Sequence, residues 1–110
     1  MSEFENRVVI VTGAAQGIGQ GVSRRFAREG ATVVVADVNA EIGQATAESL
    51  AGLGGRGVYM PYDLFDFASG DALIAETEKQ FGKVDVLVNN AYPTTMGKAG
   101  PMESKPVVVG

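Results

Sequence analysis

The chain of 110 residues contains no cysteine and no histidine. Disulfides and thiolate metal sites are thereby excluded, and so are imidazole catalysis and histidine ligation. No block of basic residues occurs, and the formal net charge is −4. Nucleic acid and anionic membrane surfaces are poor partners for such a chain. The opening MSEFENR lacks the basic and apolar regions of a secretory signal. No apolar run approaches the roughly 20 residues that a membrane span needs. The expectation is a cytoplasmic protein of one modest domain, able to bury roughly two-thirds of its unfolded surface without covalent staples.

What is present is a strict alternation of two periodicities. Arg7–Thr12 is a continuous β-branched run and reads as a strand buried on both faces. Gly17–Glu29 has helical spacing, with Ile18, Val22 and Phe26 on one side and Gly30 as its stop. Ala31–Asp37 (ATVVVAD) is a second buried strand. Asn39 can cap the next helix, in which Ile42, Ala45, Ser49, Leu50 and Leu53 line one side before Gly54-Gly55 ends it. Arg56–Tyr62 is a third strand. Asp66 or Ser69 opens a third helix, with Leu73, Thr77 and Phe81 inward and Gly82 just past its end. Lys83–Asn89 (KVDVLVN) is a fourth strand.

Strands and helices that alternate with short links imply a parallel sheet with right-handed crossovers. The fold class is therefore α/β, a Rossmann-like doubly wound sheet of about four strands in the order 3-2-1-4 with three helices. The βαβαβαβ segment spans 1–91. Residues 92–110 form a loop of turn formers and small residues that runs into the apolar tail Val107-Val108-Val109.

The stretch TGAAQGIG, Thr12 to Gly19, joins the first strand to the first helix with the spacing G-x-x-x-G-x-G. A helix start carries unpaired N–H groups and a partial positive charge, and a pyrophosphate can sit there if no Cβ blocks it. Gly13 allows the tight exit from the strand, Gly17 lets the backbone approach phosphate oxygens, and Gly19 lets the helix pack close to the sheet. Gln16 in this loop is neutral.

Asp37 closes the second strand, eighteen residues after Gly19. Neighbouring parallel strands put their C-terminal ends side by side, so its carboxylate can accept from both ribose hydroxyls of an adenosine and would repel a 2′-phosphate. No Arg or Lys adjoins it, which favours NAD over NADP. A cap for the following helix is the other use of an aspartate here. Asp63 ends the third strand and could accept from the adenine amino group, with Leu64 offering a backbone N–H; a turn residue fits its spacing nearly as well. Asn89-Asn90 ends the fourth strand, where Asn side chains bind backbone, cofactor ribose or both, or simply close a turn.

These strand ends together resemble the short-chain dehydrogenase/reductase family. The matching residues are TGAAQGIG, Asp37, Asp63-Leu64 and Asn89-Asn90-Ala91, with GPMES at 100–104 similar to the loop before that family's next helix. The resemblance implies that Gly13, Gln16, Gly17, Ile18 and Gly19 belong to the loop lining the dinucleotide pyrophosphate. Asp37 would grip the adenosine ribose and select NAD. Asp63 and Leu64 would contact adenine. Asn90 and Ala91 would lie along the nicotinamide ribose, with Asn89 pinning the central strands. The implied activity is hydride transfer between nicotinamide and an alcohol or carbonyl carbon.

Two departures stand out. Tyr92 follows N-N-A where the family usually has glycine. The family's chemistry also uses a later Ser and a Tyr-x-x-x-Lys pair. Tyr59, Tyr62 and Tyr92 are followed four residues on by Asp63, Asp66 and Met96. The alternative is therefore a catalytically silent dinucleotide-binding or interaction module. A methyltransferase loop is usually a tighter G-x-G-x-G, and a receiver domain needs an acidic pair after its first strand that is absent here. With four strands and a lone third helix, the fourth strand becomes an apolar edge and one sheet face stays open. Self-association, or pairing with a full-length relative through that face and edge, is the expectation. Val107–Val109 is expected either to add a strand or to lie across the open face.

Overall fold

The computed structural model describes residues 4–15, 17–90 and 107–109. Strand β1 (Val8–Thr12) leads into helix α1 (Gly17–Arg28), then β2 (Thr32–Asp37), α2 (Ala40–Leu50), β3 (Arg56–Pro61), α3 (Phe67–Phe81), β4 (Val86–Asn89) and β5 (Val107–Val109). The described strands form one sheet in the order β3-β2-β1-β4-β5. The expected 3-2-1-4 arrangement is present, and every pairing is parallel. Val8 to Thr12 lie opposite Thr32 to Ala36 on one side, and Val9 to Thr12 opposite Val86 to Asn89 on the other.

The side-chain period of two sends alternate strand residues to opposite faces. Val9, Val11, Val33, Val35 and Val88 pack with Ala27 of α1 and with Ala47 and Leu50 of α2. Ile10, Val34, Ala36 and Met60 pack with Leu73 of α3 on the other face. A fully buried aliphatic side chain contributes about 1.5–3 kcal/mol, so the valine run of β1 and β2 is the main source of stability. It also fixes the ends of those strands, which is what positions the site.

Two helix faces differ from the sequence expectation. The buried residues of α1 are Gly19, Ser23 and Ala27; Val22 and Phe26 are only partly covered, and Ile18 is 77% exposed. In α2 the inward residues are Gly43, Thr46, Ala47 and Leu50, whereas Ile42, Ala45 and Ser49 face out. Both corrections have one cause. A helix lying close on a flat sheet of valines needs small residues at the contact, so size overrides hydrophobicity in choosing the stripe. In α3 the expectation stands: Leu73 and Thr77 are buried, and Phe81 packs against the core.

The fourth strand is shorter than Lys83–Asn89 because its beginning leaves the ladder. The N–H of Asp85 donates to the Val8 carbonyl, and the N–H of Val8 donates to Asp85 Oδ2, each at 2.8 Å. β4 is not the edge of the sheet. Val86, Leu87 and Val88 pair with Val107, Val108 and Val109, so the tail adds a strand. The expected open face is also corrected at its centre, since Ile10 and Val34 are fully buried. Among the described residues no helix is long and apolar enough to cross a membrane.

Candidate dinucleotide site

β1 ends at Thr12, and the chain turns at once. Gly13 and Gly17 have φ of 64° and 65°, a left-handed conformation that a side chain strains. The N–H of Gly13 donates to the Ala36 carbonyl at 2.8 Å, which draws the loop toward the end of β2. A Cβ on Gly19 would collide with the Gly13 carbonyl and lie 2.9 Å from both Ala14 Cα and Asn90 Nδ2. The close approach at Gly19 is thus to the loop itself and to Asn90, not to the body of the sheet as expected. A Cβ on Gly17 would meet nothing within 4 Å, so the start of α1 presents open backbone. No acidic side chain stands in the first turn of α1, while Arg25 and Arg28 occupy its last turn. The positive end of the helix is left uncompensated for an anion.

Asp37 sits beside this loop. Its Oδ2 accepts from the N–H of Ala15 at 3.1 Å, and its Oδ1 accepts from the N–H of Asn39 at 2.9 Å. Asn39 itself caps α2 by accepting from the N–H of Ile42 at 3.0 Å. Asp37 therefore steadies the cap without being the cap. Its backbone carbonyl accepts from the Tyr59 hydroxyl at 2.8 Å. Burial, followed by the negative charge of Asp37, raises the Tyr59 phenol above its ordinary range.

The loop after β3 closes the other side. Asp63 Oδ1 accepts from the N–H of Phe65 at 3.0 Å, and the N–H of Asp63 donates to Ser69 Oγ at 2.8 Å. Asp63 is thus a turn former that also lines the site. Asp66, not Ser69, caps α3, accepting from the N–H of Ala68 at 3.0 Å. Burial and then the Asp63 charge raise the Tyr62 phenol. Gly13, Asp37, Val38, Asp63, Leu64 and Phe65, together with Tyr62, line a crevice of about 360 Å³.

At the end of β4, Asn90 turns back to the loop. Its N–H donates to Thr12 Oγ1 at 3.0 Å, and its Nδ2 donates to the Gly13 carbonyl at 3.3 Å. Asn89 Oδ1 accepts from the Thr12 hydroxyl at 3.2 Å, the pinning of central strands that the sequence implied. The structure thus gathers Gly13, Gly17, Gly19, Asp37 and Asn90 around one loop, and Asp63 and Leu64 across the crevice. Gln16 and Ala91 lie outside the described residues. Val38, Phe65 and Tyr62 were not singled out from the sequence; Val38 and Phe65 were apolar residues in predicted loops, beside acidic residues that were. Among the described residues no cluster of acidic side chains could hold a metal ion.

The family model for short chain dehydrogenases matches residues 7–106. The chain belongs to the short-chain dehydrogenase family. Among curated members it is 43% identical, over 91 residues, to a 3beta-hydroxysteroid dehydrogenase of Mediterraneibacter gnavus, covering 83% of this chain and 33% of that one. It is 39% identical over 97 residues to the oxidoreductase UcpA of Salmonella typhimurium, covering 88% of this chain and 36% of that one. A short chain dehydrogenase from Mycobacterium smegmatis superimposes with a TM-score of 0.77 at 41% identity, over 83% of this chain and 39% of that chain. A hydroxysteroid dehydrogenase from Escherichia coli does so with a TM-score of 0.75 at 35% identity, over 78% and 35%. The chain thus spans about a third of the length of the relatives it matches.

Proposed function

We propose that the protein is an NAD-dependent oxidoreductase, and that these residues furnish the part of its site that grips the adenosine diphosphate half of the dinucleotide. The observation that carries this reading is the meeting of the glycine loop and Asp37 in one crevice, joined by the Ala15–Asp37 hydrogen bond. The residues present fit the cofactor. A backbone surface at Gly17 that any Cβ would fill suits a diphosphate. Asp37 retains lone pairs on both oxygens for the two ribose hydroxyls. Val38, Leu64 and Phe65 offer apolar walls to a purine. Asp63 supplies an acceptor beside them.

Bound nicotinamide would supply the hydride acceptor or donor for an alcohol or carbonyl substrate. The work of this chain is to hold and orient it. First-turn amides of α1 at Gly17, Ile18 and Gly19 would neutralise phosphate charge. Asn90 would hold the nicotinamide ribose side, the role the family resemblance gives to Ala91 as well. NAD is favoured over NADP because a 2′-phosphate would meet Asp37, with Asp63 across the same crevice and no Lys or Arg among the described lining residues. No tyrosine of the sequence has lysine four residues on, so no proton transfer is assigned to it.

A second reading is a module that binds the dinucleotide without turnover or pairs with a full-length relative. Calorimetric titration with NAD and NADP, followed by a screen for alcohol-dependent NADH formation, tests both. Saturable NAD binding at least tenfold tighter than NADP supports the cofactor assignment. Turnover selects the enzyme, and binding without turnover supports the cofactor assignment shared by both readings. Absence of NAD binding at millimolar concentration overturns both.

A further inference from the structure

Ala15 is almost wholly buried in the loop between β1 and α1. Its N–H is taken by Asp37, as described above. Its carbonyl accepts from Thr46 Oγ1 at 2.8 Å and from Gln20 Nε2 at 3.1 Å. Gln20 Nε2 also lies 3.2 Å from Thr46 Oγ1. Three elements therefore converge on one residue: β2 through Asp37, α2 through Thr46 and α1 through Gln20. Thr46 is a β-branched residue inside α2, where a threonine hydroxyl ordinarily turns back to its own helix. Here it reaches instead across 31 residues of sequence to the loop.

We infer that Thr46, assisted by Gln20, is a positioning residue for the phosphate-binding loop, holding the Ala15 carbonyl while Asp37 holds the Ala15 N–H. The inference rests on the dinucleotide reading above. A peptide unit is planar, so clamping the Ala15 carbonyl fixes the plane of the unit that leads toward Gly17. The N–H on the other side of Ala15 is fixed by Asp37. Without the Thr46 hydroxyl, the buried carbonyl retains one donor and Gln20 loses an acceptor, so the loop is free to rotate. The ribose contact at Asp37 remains. The loss therefore falls on the phosphates more than on the nucleoside.

The test compares ADP and adenosine binding to the full chain by NMR titration and calorimetry, for the wild type and for Thr46→Val, Thr46→Ser and Gln20→Met. Valine keeps the shape and removes the hydroxyl; serine keeps the hydroxyl. Thr46→Val is expected to weaken ADP about tenfold, roughly one hydrogen bond's worth, and to change adenosine less than twofold. Thr46→Ser restores ADP affinity, and Gln20→Met moves it in the same direction as Thr46→Val by a smaller factor. In the ligand-free chain, the Ala15 amide is expected to exchange with solvent at least tenfold faster in Thr46→Val. Equal loss of ADP and adenosine, or unchanged ADP affinity with unchanged Ala15 exchange, overturns the inference and leaves the dinucleotide reading standing. A wild type that binds neither ligand overturns the dinucleotide reading, and this inference with it.

Discussion

Gly19→Ala and Gly21→Ala place the same methyl group on one helix, two residues apart, with opposite expected results. At Gly21 the new Cβ meets nothing within 4 Å. Alanine is about 1 kcal/mol better than glycine inside a helix, so Gly21→Ala should stabilise the chain by up to that amount. At Gly19 the same gain is overridden. The Cβ would overlap the Gly13 carbonyl and crowd Ala14 Cα and Asn90 Nδ2, each at 2.9 Å. The nearest two neighbours are backbone, so the loop must retreat by roughly 1 Å, and overpacking of this kind costs ~1–3 kcal/mol. The Asn90 Nδ2 bond to the Gly13 carbonyl is strained with it, which adds ~1 kcal/mol. The two variants should differ by about 2–4 kcal/mol. At about 4–8 °C per kcal/mol for a domain near this size, their melting temperatures should separate by at least ~8 °C. Loss of one charge-assisted phosphate contact at the displaced loop should also weaken NAD roughly 10- to 100-fold in Gly19→Ala alone. Differential scanning calorimetry and NAD titration read the two effects. If Gly19→Ala melts within a degree or two of Gly21→Ala and binds NAD as the wild type does, the packing of α1 against the loop is not what restricts this position.

Asp37→Ser shortens the acceptor and removes its charge; NAD affinity should fall and the NAD-to-NADP affinity ratio should drop at least tenfold, and an unchanged ratio would show that Asp37 does not select the cofactor. Gly43→Ala would set a Cβ 2.5 Å from two ring carbons of Tyr59, tilting the ring away from the Asp37 carbonyl; a loss of ~1–3 kcal/mol in urea denaturation is expected, partly recovered by adding Tyr59→Leu. Tyr59 and Tyr62 both have phenols raised above the usual 10.0 by burial and by a neighbouring carboxylate. The fold therefore favours their neutral forms, and this contribution is complete below pH 10 and lost as pH climbs through the raised values. The urea midpoint should fall on that alkaline limb, and Tyr59→Phe should make the fall shallower; an identical slope in the variant would remove Tyr59 from the explanation.

The α/β alternation was legible because both of its signals are local. The β-branched runs at Val8–Thr12 and Thr32–Asp37 and the caps at Asn39, Asp66 and Gly82 stand where the sequence places them. The inward faces of α1 and α2 were less legible. Ile18 and Ile42 carry the hydrophobicity, yet Gly19, Ser23, Ala27 and Gly43 make the contact, because distance to the sheet decides which residues fit. The sequence left the tail with two outcomes, an added strand or a cover over the open face, for a related reason, and the added strand is the one formed. Whether Val107–Val109 adds to β4 depends on where a distant segment returns, and three valines carry no address of their own.

The sequence by itself determined the strand ends, the order in which they adjoin and the glycine spacing that bares the start of α1. Chirality and hydrophobic pattern act over a few residues and leave little choice of crossover. Only the tertiary structure decided what those ends do to one another. Asp37 both lines the crevice and braces Ala15, Asn90 reaches Gly13 across 77 residues, and Thr46 reaches Ala15 across 31. Hydrogen bonds of that span depend on angles and on distances near 3 Å between groups remote in sequence, and those are set by how the helices settle on the sheet.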